Sequence, residues 1–135
     1  MPASTWVVSA LAIVSLGGCS VLDGTGSSTA ETATLAAVAP STETGTATLT
    51  DTGGGSTQIA ITTANGTDTG VQSAVMRTGT CGSNGAVFAI LNNVQADESI
   101  TTVTGDLSTL TGMKYYIDIS SSTDVTDVVS CGEIP

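Results

Sequence analysis

The sequence predicts an all-β domain, an antiparallel sandwich or barrel of about seven short strands. Three observations carry this. From about Thr46 onward, β-rich runs alternate with Gly, Asn, Asp and Ser clusters. Several runs show period-2 alternation, as Ile59 and Ile61 do against Ala60 and Thr62. No stretch there shows a helical period, and turns recur every dozen or so residues, as in sandwiches and barrels.

The chain opens differently. An apolar run from Trp6 to Leu16 ends in Gly17-Gly18-Cys19. A short hydrophobic stretch, two small residues and a cysteine are how a bacterial lipoprotein signal ends. The run is about half of the roughly 20 residues a bilayer span needs, which speaks against a permanent transmembrane anchor. An ordinary secretory signal would favour an Ala-x-Ala-like site, whereas here glycines abut Cys19. Residues 1–5 lack Lys and Arg, so the positive n-region reduces to the α-amino group; a start upstream of Met1 would supply one. The expectation is a signal peptide over 1–18, lipid on Cys19, and a protein held at the membrane by its N-terminal acyl chains. Two or three chains hold firmly where one binds marginally.

Residues 20–44 are Ser, Thr, Ala and Gly with scattered acids and Pro40. Lacking alternation and a sustained apolar face, they read as a flexible tether. The domain proper is expected over 45–135. Its candidate strands are 46–51, 57–63, 71–78, 86–91, 99–105, 115–120 and 125–131. Asp51-Thr-Gly-Gly-Gly55 separates the first two as a hairpin turn, and Ala64-Asn-Gly-Thr-Asp-Thr-Gly70 the next two. Val71, Ser73 and Val75 alternate in the third. Ala86-Val-Phe-Ala-Ile-Leu91 is apolar on both faces, so a central, covered strand is expected. Ile117 and Ile119 alternate in the sixth. The only aromatics outside the signal are Phe88, Tyr115 and Tyr116. A core this modest, in about 90 residues, leaves stability marginal and a cross-link useful.

Charge narrows the partners. Twelve Asp and Glu stand against two Lys and Arg, with no histidine and a formal charge of −10. Such a chain repels phosphate backbones and acidic head groups, so neither nucleic acid nor electrostatic membrane binding is expected. Three cysteines are odd in an exported protein; with Cys19 assigned to lipid, Cys81 and Cys131 form an even pair free to oxidise.

The segment from Thr78-Gly-Thr-Cys81 to Cys131-Gly-Glu-Ile-Pro135 resembles the C-terminal half of a superoxide dismutase-like domain. The shared features are Gly79-Thr-Cys81 after a strand, Leu91-Asn-Asn-Val94, the strand Ile100–Leu107, Tyr115-Tyr-Ile-Asp-Ile-Ser120 and the closing Cys131-Gly-Glu-Ile134. The resemblance covers about 60 residues; from 46 to 76 only alternation and strand length agree. It implies a Greek-key sandwich and a bond from Cys81 to Cys131, tying a loop to the last strand. Metal-binding relatives carry His-x-His where this chain has Val75-Met76-Arg77, and a histidine where it has Ser120. Copper cycling and the zinc site need imidazoles. No cofactor, no metal and no dismutase chemistry are therefore expected.

Other candidates are thinner. Asp124, Asp127 and Asp97-Glu98 lack the spacing of a calcium loop and read as solvated acids. Gly53-Gly-Gly55 lacks the Lys-Ser/Thr of a phosphate loop. Asn65-Gly-Thr67 fits a glycosylation sequon but reads first as a turn. Without histidine, and with Lys114 the one lysine, a base for an activated serine is nearly missing. Arg77 stands either beside a nearby acid or as an anchor for an anion. The sequence thus points away from an enzyme and towards a lipid-anchored cell-envelope protein with a binding or structural role for an unidentified envelope protein or ligand. A metal-handling protein or enzyme with an oxygen-ligand site is the alternative.

Overall fold

The computed structural model describes residues 29–135. They form β1 (Ala30–Ala37), β2 (Thr44–Gly53), β3 (Ser56–Ala64), β4 (Ala74–Thr78), β5 (Val87–Ile90), β6 (Glu98–Thr104), α1 (Leu107–Gly112), β7 (Tyr115–Ser120) and β8 (Val128–Glu133). All ladders are antiparallel, in the order β5-β4-β7-β8-β1-β2-β3-β6. The β3–β4 and β6–β7 connections each cross from one half to the other, which makes the order a Greek key. The all-β antiparallel expectation holds, with eight strands.

Alternation builds the core. Ala33 and Leu35, Ala47 and Leu49, Ile59 and Ile61, Ala74 and Met76, and Ile117 and Ile119 all point inward and are buried. The halves β1-β2-β3-β6 and β5-β4-β7-β8 meet along two seams. At one, β1 runs from β2 across to β8, where Ala36 faces Cys131 and Ala37 faces Ser130. Gly45 and Gly132 make that crossing possible: a Cβ at either would run into backbone carbonyl oxygen beside Leu35. At the other seam β5 and β6 form no ladder. Asn92 closes it, its N–H donating to Thr101 Oγ1 (2.8 Å), its Nδ2 to the Ile100 carbonyl (2.7 Å), and its carbonyl accepting from Ser99 Oγ (2.7 Å).

The β2–β3 hairpin turns at Gly54-Gly55, both at positive φ, with Asp51 Oδ1 accepting the Gly53 N–H at 2.7 Å.

Four expectations are corrected. The described part of the 20–44 tether, from residue 29, contains β1 and the approach to β2, so the domain begins before residue 45. Ala33 and Leu35 carry the burial, and backbone pairing to two neighbours supplies the rest. A helix is present: α1 is too short to show a period, and buries Leu107 and Leu110. The run 86–91 is not a covered central strand. Its β5 is the end strand of the sheet, and Val87 and Ile90 are 50% and 79% exposed because no layer lies outside them. The strand expected over 71–78 begins only at Ala74, with Ala74 and Met76 as its buried phase. Strand ends otherwise shift by a few residues, β8 starting at Val128 rather than 125.

Candidate functional site

The unusual surface is the outer face of β4, β7 and β8. All six residues of β7 are buried, although Tyr116, Asp118 and Ser120 alternate away from the core. Their cover comes from the loops that follow β4 and β7. The first of these is stapled down. Cys81 in the loop is bonded to Cys131 in β8, with Cα atoms 6.0 Å apart. Gly85 donates its N–H to Tyr116 Oη at 3.0 Å, and the Cys81 N–H donates to Glu133 Oε1 at 3.3 Å.

Arg77 and Asp118 meet on this face. Register sets Val75 opposite Asp118 and Arg77 opposite Tyr116, so the pair sits diagonally across two strands. Arg77 Nε lies 3.3 Å from Asp118 Oδ2, and Nη1 donates to the Gly85 carbonyl at 3.0 Å. Burial pushes the Asp118 carboxyl above the ordinary range, and the neighbouring guanidinium only partly offsets this. Beside the pair opens a hollow of about 400 Å³, whose lining includes Ser73, Val75, Asn84 and Ser120. A smaller, more apolar hollow of about 270 Å³ adjoins it over Cys81–Cys131, Tyr116 and Val38; Asn84, Asp118 and Val128 border both.

Comparison with protein-family models, curated proteins and solved structures finds no match. Function must be read from the residues themselves.

The structure brings three positions singled out in the sequence to one place: Val75, Arg77 and Ser120 all line the larger hollow. Met76, between the first two, points into the core. One carboxylate, one guanidinium, hydroxyls and valines make a poor donor set for copper or zinc, which favour imidazole and thiolate. Among the described residues no group of three or more His, Cys, Asp or Glu could hold a metal ion. Cys19 lies outside the described residues. Asp124 is committed to its own loop, Oδ1 accepting from the Thr126 N–H and hydroxyl at 2.8 and 2.6 Å. Asn65, at φ 62°, donates Nδ2 to Thr44 Oγ1 at 3.1 Å, in keeping with the turn reading.

Two acids gained roles that sequence reasoning missed. Glu43 is buried, accepting from Gln72 Nε2 (2.9 Å) and Ser130 Oγ (3.4 Å), so it ties the segment before β2 to β8. A lone glutamate in a Ser/Thr-rich stretch carries no signal of burial. Asp68 joins the loop before β4 to the loop after β7. Its carboxylate accepts from Ser122 Oγ (2.6 Å), the Ser122 N–H (2.7 Å) and the Gly70 N–H (2.9 Å). These bonds, Ser122's first, hold its carboxyl below the ordinary aspartate range. With the folded pKa depressed, the tie is intact above the ordinary value and is lost as pH falls through the folded one. The Ser122 amide resonance is expected to move with a midpoint below that of an exposed aspartate, and Asp68→Asn should abolish the movement.

Proposed function

We propose that this protein is a lipid-anchored component of the cell envelope whose superoxide dismutase-like domain has no metal site and acts as a binding module. The observation that carries the reading is the Arg77–Asp118 pair beside its hollow. Resemblance assigns metal ligands to Val75, Arg77 and Ser120, and those positions converge on one concave face with no imidazole among them. The Greek-key order and the Cys81–Cys131 bond are features the resemblance implies, and both are present. A site that is concave, of mixed polarity and largely pre-formed suits recognition. Asp118, the one carboxylate lining it, is engaged by Arg77 rather than set against a hydroxyl nucleophile.

The anchor and the module are tested together in intact cells. Cys19→Ala should move the protein from the membrane fraction to the soluble extracytoplasmic fraction. A photoreactive residue at Asn84 should cross-link a specific envelope component, and the same residue at Ile100 should not. Membrane retention of the Cys19→Ala variant refutes the anchor. Stoichiometric copper or zinc in the purified protein refutes the metal-free reading.

A further inference from the structure

We propose that the hollow beside Arg77 and Asp118 binds a neutral, hydroxyl-rich ligand, a saccharide, by side-chain recognition alone. This rests on the reading of the domain as a binding module and names the chemistry of its site.

Strand backbone is not on offer there. β4 lies between β5 and β7, β7 between β4 and β8, and β8 between β7 and β1, so every strand of the face is paired on both sides. A peptide adding itself as a strand finds no edge to join. Charge is balanced as well. Asp118 is the hollow's one acid and Arg77 its one base, and they already face each other at 3.3 Å. A cationic ligand gains no unpaired carboxylate, and an anionic one meets a chain of net charge −10. Neither sign is selected.

Side-chain donors and acceptors stand close together instead. Arg77 has five N–H groups, of which one is held by the Gly85 carbonyl and one faces Asp118. Arg77, Asp118, Asn84, Ser73 and Ser120 all line the hollow, and with the remaining guanidinium N–H groups they carry a carboxylate, an amide and two hydroxyls. A guanidinium beside a carboxylate offers a donor and an acceptor at the spacing of vicinal hydroxyls. Val125, 70% exposed, supplies an apolar wall against which the C–H face of a sugar ring can lie. The volume, about 400 Å³, is at the lower end of small-molecule sites. Binding resting on a few hydrogen bonds and a valine wall is expected at millimolar concentration.

The test is an amide-resolved NMR titration of the full chain in a detergent without a sugar headgroup. Glucose, galactose and N-acetylglucosamine are the neutral probes; glucuronate and glucosamine carry opposite charges. The neutral sugars should give saturable shifts at Asn84, Asp118, Ser120 and Thr126, with the charged ones weaker. Asn84→Ala and Asp118→Asn should each weaken binding about tenfold. Asn84 lies in an exposed loop at φ 53°, so Asn84→Gly, which suits that backbone, repeats the truncation without strain. No response to the neutral sugars, stronger response to a charged one, or shifts indifferent to both variants overturns the proposal. If sugars are silent while Asn84 still cross-links an envelope component, the ligand class is wrong and the module stands. Silence in both experiments removes the module too.

Discussion

A chain cut to begin at Gly45 is expected to lose cooperative unfolding altogether, while one beginning at residue 29 keeps it. β1 is the element at stake. It pairs over six residues with β2 and over two with β8, and places Ala33 and Leu35 in the core at 1% and 0% exposure. Removing it deletes the strand that joins β8 to β2 and leaves both with unpaired edges, a route to aggregation. A gentler version is Leu35→Ala, expected to cost about 2–5 kcal/mol as a buried large-to-small change. Gly45 and Gly132 lie against the Leu35 methyls and carry no side chain that could move into the space left. Thermal or denaturant melts followed by circular dichroism read both effects. A dispersed spectrum and a sharp melt from the 45–135 chain would put β1 outside the folding unit.

Why that strand escaped sequence reasoning, when others did not, is a matter of contrast. β3 and β7 carry Ile59, Ile61, Ile117 and Ile119 against polar or small neighbours, so alternation is visible. β1 reads Ala-Glu-Thr-Ala-Thr-Leu-Ala-Ala, where one leucine is the only large apolar side chain. Its place is dictated by backbone pairing on both sides, which leaves no trace in composition. β5 fails the other way. Four consecutive apolar residues look buried, yet the strand ends its sheet, and only tertiary context distinguishes an end strand from a central one. The site was half legible. Arg77 stood out as one of two cations, and Ser120 as a departure from a resemblance, but nothing local selects Asp118 among twelve acids as the partner. That choice follows from the register of β4 on β7. The loop cover that makes Asp118 a buried group is likewise a long-range fact, set by a bond between residues 50 positions apart.

Breaking that bond should have the second large effect. Cys81→Ser, or reduction, frees a loop of 50 residues in the unfolded chain, worth about 4 kcal/mol on the loop-entropy model. Small domains hold roughly 5–15 kcal/mol in all. For a domain of this size each kcal/mol moves Tm by about 4–8 °C, so a fall of roughly 15–30 °C is expected. Cys81→Ser alone leaves a thiol at Cys131, which is 5% exposed, so the double variant Cys81→Ser/Cys131→Ser is the matched control and should agree with it. Agreement assigns the loss to the missing link; a fall of only a few degrees in both would show that the loop is held without it. The site responds in a definite direction. Burial is the first cause of the raised Asp118 carboxyl, and the stapled loop provides part of that burial. When the loop loosens, water reaches Asp118 while Arg77, on β4 rather than the loop, stays beside it. Desolvation then weakens more than the ion pair does, and the Asp118 titration should shift down towards the ordinary range. The sign has a thermodynamic counterpart. A carboxyl raised in the folded state favours folding most when protonated, so its contribution falls as pH rises through the interval between its unfolded and folded values. The bridged protein should show that loss just above the ordinary aspartate range, and the double variant should show less of it. Carbon-detected titration of the Asp118 carboxyl in both forms measures the shift; an unchanged midpoint would mean that the loop does not exclude water from the site.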